Sequence, residues 1–266
     1  MTALPGFYLG DHRILTVTAR NDRFYLDTRD IMLTPGVLCW GSWEPETVAS
    51  FERLLKPGMH WADIGANIGY FTIVGHRLAM GSGGHTYAFE ANPRTFEFLR
   101  DNINLNWFFD GCTAEHKAVY SRSQMLDFSA PEKFNVNASI ATFEPGAWDR
   151  VLDKVTTFQV QGVSLDEYFA ERRLDFCKVD VEGAEYHVLA GGRQVIARNP
   201  ELRMLIEWSP QQMLMCGSSA PALADLIEEL GLECRRNDTD VQTLTRGQLL
   251  DIQQTTMVLL QHRRGG

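Results

Sequence analysis

Residues 61–71 read WADIGANIGYF, and this stretch decides the fold. Its apolar start completes a strand predicted over 59–64. Gly65 and Gly69 then make a turn, and a helix is predicted over 70–78. In an open α/β sheet such a turn, at the carboxyl end of a strand, is where ligands bind. Glycine lets the backbone come close to them, and the following helix start offers N–H groups.

The pattern D-x-G-x-N-x-G is not the dinucleotide fingerprint G-x-G-x-x-G. The middle glycine that makes room for a pyrophosphate is missing, and Ala66-Asn67 stand in its place. Asp63 at the strand end would repel phosphates and suits a cationic group. S-adenosylmethionine, with an ammonium, a sulfonium and no phosphate, fits both features.

Working outward, a second predicted strand (85–89) ends in Glu90-Ala91-Asn92-Pro93 and leads to a helix over 94–104. A carboxylate at that tip is placed to hold a ribose diol. Further strands are expected at 115–120, 175–179, 202–207 and 256–262, with helices at 183–196 and 220–230. Strands alternating with helices of this length mean βαβ units and a mainly parallel sheet. Before it, 13–19 and 23–28 flank Asn21-Asp22 as a β-hairpin. A helix over 46–55 carries Val48, Phe51, Leu54 and Leu55 on one face and stops at Pro57-Gly58. Strands at 125–128 and 156–163 look like an insertion. The expectation is one α/β domain over 1–266, with an N-terminal hairpin extension (1–45) and a β-rich insertion (121–165) over the strand ends.

The chain has 266 residues, with 25 Lys plus Arg against 34 Asp plus Glu, a net charge of −9 that argues against nucleic acid as a partner. Hydrophobic residues at 44% and charged residues at 22% are those of a chain with a core, not a disordered one. Cys39, Cys112, Cys177, Cys216 and Cys234 are scattered, with no C-x-x-C pair, and read as reduced thiols. Asp11, His12 and Arg13 interrupt what would be a signal peptide, and no apolar run is long enough for a membrane span. A cytoplasmic location is the expectation.

Taken together, "GSWEPET" (41–47), "DIGANIGYFT" (63–72), "AFEANP" (88–93), "VSLDEYF" (163–169), "KVDVEGAEYHVLAGG" (178–192) and "LIEWSP" (205–210) resemble the FkbM-type family of S-adenosylmethionine-dependent methyltransferases. The resemblance covers roughly residues 35–210, and "TTMVLLQH" completes it. It implies a class I methyltransferase (Rossmann-like) fold, with a seven-stranded sheet whose last strand is antiparallel. It also implies O-methylation of a sugar, polyketide or other small metabolite. By that resemblance Asp63, Gly65, Ala66, Asn67 and Gly69 match the cofactor loop. Glu90 matches the ribose carboxylate, with Ala91 and Asn92 beside the adenine. Ala118 and Val119 fall where adenine contacts are expected, and Glu44 matches an acidic position that could meet the methionine ammonium.

Methyl transfer from a sulfonium needs near-attack geometry, and an alcohol acceptor must also lose a proton. Asp180 ends the fourth sheet strand and is the leading residue for cofactor or acceptor contact. Glu182 and Glu207 are further candidates, although acidic residues at helix starts often serve only as caps. An Asp180/Glu207 divalent metal site lacks a third ligand in view. His187 shares a helix face with Ala184, Val188 and Gly191; it is a candidate base, or a packed core residue. Lys178 lies inside a strand buried on both faces, so it pairs with a strand-end carboxylate or reaches the substrate. Asn135, Asn137 and Ser139 in the insertion suit a hydroxylated acceptor, or belong to a surface hairpin tip. Trp40, Trp43 and Tyr70 are aromatic candidates for the mouth. The leading expectation is a small-molecule O-methyltransferase. The alternatives are a non-catalytic cofactor- or partner-binding protein on the same fold and, third, a nicotinamide-dependent oxidoreductase. A homo-oligomer is left open.

Overall fold

The computed structural model describes residues 6–81, 83–131, 133, 140, 155–237 and 242–263. The chain begins with three antiparallel strands, β1 (Gly6–Gly10), β2 (Arg13–Val17) and β3 (Arg23–Asp27). The expected hairpin, β2–β3, is thus extended by a third strand, β1, paired to β2. Two helices follow, α1 (Leu33–Trp40) and α2 (Pro45–Leu54). Sequence reading missed α1 because Pro35-Gly36 looks like a turn. Proline is tolerated in a first helical turn, and Gly36 leaves room for the Trp43 ring, which would lie 2.9 Å from a Cβ there.

The central layer starts with β4 (His60–Ile64), α3 (Tyr70–Ala79), β5 (His85–Phe89), α4 (Pro93–Leu105) and β6 (Cys112–Glu115). Here the expectation of a strand over 115–120 is corrected. Lys117 N–H donates to the Glu115 carbonyl (2.9 Å) in a turn that ends the ladder. The chain then leaves for a separate small sheet made of β7 (Ala118–Val119), β8 (Gln124–Pro131) and β9 (Val155–Val163). It holds the two strands expected at 125–128 and 156–163.

The chain returns through α5 (Leu165–Tyr168) to β10 (Phe176–Val179), α6 (Glu185–Ala190), α7 (Arg193–Arg198) and β11 (Arg203–Trp208). The helix expected over 183–196 is two short ones. Gly191-Gly192 separates them, and a Cβ on Gly191 would stand 2.3 Å from the Tyr120 carbonyl oxygen. The rest comprises α8 (Pro210–Met215), α9 (Ala220–Glu229), β12 (Leu232–Arg236), β13 (Thr243–Leu244), α10 (Arg246–Leu250) and β14 (Thr256–His262).

The large sheet runs β13-β12-β14-β11-β10-β4-β5-β6, with β14 antiparallel to both of its neighbours. The two-residue β13 at the edge is an eighth strand beyond the seven expected. Alternate residues feed two cores. Trp61, Phe176, Leu205 and Leu259 pack on one face, and Ala62, Cys177, Met204 and Leu260 on the other. Both faces are covered, which leaves the carboxyl ends of β4, β5, β10 and β11 as the accessible rim.

Candidate active site

That rim carries a cavity of about 290 Å³, lined at one end by Glu44, Asp180, Glu182 and Glu207 and at the other by Ala91, Ala118, Val119, Phe128 and Ile140. The glycine loop forms its floor. Gly65 has a φ of 81°, and a Cβ there would fall 1.8 Å from the Asp180 carbonyl oxygen. Only glycine lets β4 and β10 end so close together. The loop's N–H groups are largely satisfied within the protein: Gly65 and Ala66 donate to the Phe89 carbonyl (3.0 and 2.9 Å). Asn67 N–H donates to Glu90 Oε2 at 2.7 Å.

Glu90 is the anchor of this end. Its Oε1 accepts from Asn92 N–H (2.7 Å) and the Thr95 hydroxyl (2.8 Å). A carboxylate offers about four acceptor sites, so these three donors leave room on Oε2 for one more. Burial pushes its pKa up, against the pull of those donors.

The other end is dominated by charge. Lys178 is buried on the same face as Asp63, its direct partner in the β10–β4 ladder. Its ammonium donates to Asp180 Oδ2 at 2.8 Å and lies 5.0 Å from the centre of the Phe71 ring. Burial alone would lower its pKa; Asp180, Asp63 and Glu44 outweigh that and hold it above the ordinary lysine value. Facing it, burial and then the Asp180 charge push Glu182 and Glu207 well above the carboxylate range. Gln212 donates to Glu182, whereas Glu207 Oε2 is buried with no hydrogen-bond partner. Three non-glycine residues with positive φ, Glu44 (40°), Asn67 (51°) and Glu182 (56°), all line this one cavity. Such backbone strain persists where the surroundings enforce it, and it clusters at functional sites.

Of the residues expected from sequence, Glu44, Gly65, Ala66, Asn67, Glu90, Ala91, Ala118, Val119, Lys178, Asp180, Glu182 and Glu207 line the cavity, as do Trp43 and Tyr70. Others sit elsewhere. Asp63 is fully buried beneath the loop, where it accepts from the Thr72 hydroxyl (2.6 Å), and burial raises it to about 6. Gly69 packs against Leu99. Asn92 caps α4 by accepting from Arg94 N–H (3.0 Å). His187 does not line the cavity: its ring stacks on Tyr120 at 4.4 Å, and burial lowers its pKa. Trp40 is exposed to solvent. Asn135, Asn137 and Ser139 lie outside the described residues.

Sequence reading missed Met32, Leu33, Lys117, Tyr120, Gln212 and Thr255, which also line the cavity. Gln212 and Thr255 flank strand ends and were findable by the rule that selected Glu207. Met32 and Leu33 come from the unrecognised α1 region, and no local signal marks them. Among the described residues, no three His, Cys, Asp or Glu side chains are grouped to hold a metal ion. No described helix is long and apolar enough to cross a membrane.

The sheet order, the antiparallel β14 and a cavity at the strand tips are those of a class I methyltransferase fold. Residues 63–234 match the methyltransferase FkbM domain, and the chain belongs to that family. A search of curated proteins found no match. Among solved structures, the chain is similar to methyltransferase FkbM from Methylobacillus flagellatus (13% identity, TM-score 0.47, covering 80% of this chain and 50% of that one). It therefore spans about half the length of that relative. It is also similar to a SAM-dependent O-methyltransferase from Thermotoga maritima (12% identity, TM-score 0.49, 95% and 78% covered). A third is P. horikoshii TYW2 in complex with MeSAdo (14% identity, TM-score 0.48, 95% and 71% covered).

Proposed function

We propose that this chain, acting as one domain, uses S-adenosylmethionine to methylate a hydroxyl on a small metabolite. The observation that carries the reading is the charge imbalance at the rim. Glu44, Asp180, Glu182 and Glu207 line one end of the cavity with Lys178 as the cation set among them, and Glu207 Oε2 is an orphaned buried oxygen. Carboxylates crowded this way favour a positively charged ligand. The residues fit the cofactor: Glu90 Oε2 has a vacant acceptor site for a ribose hydroxyl, and Ala91, Ala118 and Val119 offer apolar contacts for a purine.

When bound, the cofactor supplies a methyl carbon on a cationic sulfur, already activated for displacement. The protein's task is then to position the acceptor and take its proton. Glu207 suits the second task. Its Oε2 has no partner, and burial raises its pKa, which makes the ionised carboxylate a stronger base. Asp180 is less free, because Lys178 occupies one of its oxygens. It orients and balances charge, while Gln212 fixes Glu182. Transfer of a labelled methyl group to a panel of hydroxylated metabolites tests this. Glu207→Gln should slow turnover at least a hundredfold, within the range for loss of a general base, and change S-adenosylhomocysteine affinity little. Full turnover in that variant would remove Glu207 from the chemistry. Absence of transfer to any acceptor, despite tight cofactor binding, would favour a non-catalytic binder.

A further inference from the structure

Glu44, Asp180, Glu207 and Thr255 line a second, larger cavity as well as the first. It measures about 800 Å³ and extends from this junction along α2 toward the ends of β12 and β14. Its charges are sorted by position. The carboxylates shared with the first cavity stand at the junction, and Glu46 joins them from the first turn of α2, whereas Arg53 and Arg236 line only the second cavity. Arg53 lies eight residues beyond Pro45, the first residue of α2, so at 1.5 Å per residue it sits about 12 Å along the helix.

The guanidinium of Arg53 is held in place. It donates to the Asn237 carbonyl (2.7 Å), and Ser50, one turn earlier, donates to Asn237 Oδ1 (2.5 Å). These contacts tie α2 to the end of β12. Arg236, the last residue of β12, is exposed. Placing cations here runs against the acidic balance of the chain, and it sets them at the end of the cavity away from the site of transfer.

We infer that the second cavity is the acceptor subsite, and that Arg53 and Arg236 anchor an anionic group on an elongated acceptor whose hydroxyl lies at the Glu207 junction. This rests on the methyltransferase reading of that junction. The anion is a carboxylate or a phosphate, which the exposed Arg236 guanidinium recognises through paired N–H donors, while Arg53, already bonded to Asn237, adds positive charge. The roughly 12 Å between the start of α2 and Arg53, in a cavity of about 800 Å³, suits an elongated acceptor. Ala49, exposed on α2, lines the same cavity and offers a way to block it.

The test uses the whole chain saturated with S-adenosylhomocysteine, whose own binding is measured first. Citrate and inorganic pyrophosphate are then titrated as carboxylate and phosphate probes, at constant ionic strength. At least one should bind saturably at a single site, and the stronger identifies the anion class. Arg236→Gln should weaken that binding at least tenfold, and Ala49→Trp should abolish it, with S-adenosylhomocysteine affinity unchanged in both. No saturable binding of either probe, or binding indifferent to both substitutions, overturns the subsite. Failure to bind S-adenosylhomocysteine in the first step instead overturns the cofactor reading beneath it.

Discussion

The ammonium of Lys178 donates to Asp180 Oδ2 at 2.8 Å from inside a strand buried on both faces. It also faces Asp63 across the ladder, so one lysine holds together a group of carboxylates that would otherwise repel. Lys178→Met leaves Asp63 and Asp180 without their counter-ion. The expected loss is about 3–5 kcal/mol of folding stability, the range for breaking a buried ion pair. Urea denaturation measures it. A loss below about 1 kcal/mol, the worth of an exposed pair, would show that the lysine is not the keystone of the cluster.

Gly65→Ala tests the close approach of β4 and β10. The added Cβ would fall 1.8 Å from the Asp180 carbonyl oxygen, at a φ of 81°. Strain of this kind costs about 1–3 kcal/mol where the fold tolerates it. The loop must shift, and S-adenosylhomocysteine affinity should fall at least tenfold. Calorimetric titration of the folded variant reads this, and an unchanged affinity would mean that the loop does not form the cofactor floor.

Glu90→Gln keeps the size of the side chain and changes its chemistry. Asn67 N–H, Asn92 N–H and the Thr95 hydroxyl all donate to the carboxylate. An amide turns one oxygen into a donor, so at least one buried N–H loses its acceptor. That costs about 1–3 kcal/mol, visible in the melting temperature. A variant as stable as the parent would mean that the three donors find other partners.

Much of this was legible because it depends on local pattern. Glycines after an apolar strand and carboxylates at strand tips identified the rim, and the resemblance named the fold. What escaped depends on tertiary contact. Asp63 reads as a strand-end ligand contact, yet it is fully buried and Thr72 donates to its Oδ2. His187 shares its face with small and apolar residues, and only the fold shows that Tyr120 claims its ring. The break at Glu115 that sends Ala118 and Val119 into another sheet follows from one backbone turn with no marker in composition. The sorting of Arg53 and Arg236 into one cavity needs α2 and β12 side by side, far apart in sequence.

The buried acids predict a pH dependence with a definite sign. Burial pushes Glu185 from the ordinary 4.5 up to about 7. Below pH 4 it is protonated in both folded and unfolded chains. As pH rises through 7 the unfolded chain has already released its proton and the folded one must give it up, so stability is lost. Glu185→Gln has no such proton. It should gain on the parent by about 3 kcal/mol between pH 5 and 8, taking 1.36 kcal/mol per pKa unit. Burial holds His76, His85 and His187 below their ordinary values, an opposite trend common to both proteins that cancels in the difference. Denaturation at several pH values checks this, and a constant difference would show that Glu185 titrates normally.

The central claim is that the carboxylate-lined cavity receives a cationic methyl donor. Calorimetric titration with S-adenosylmethionine, in two buffers of different ionisation heat, tests it most directly. The expected result is one site per chain, binding that tightens as pH rises, and protons released as Glu182 and Glu207, held by burial well above the ordinary carboxylate value, ionise beside the ligand. NAD should give no saturable heat. Absence of S-adenosylmethionine binding, or binding with no proton release and no pH dependence, would contradict the account.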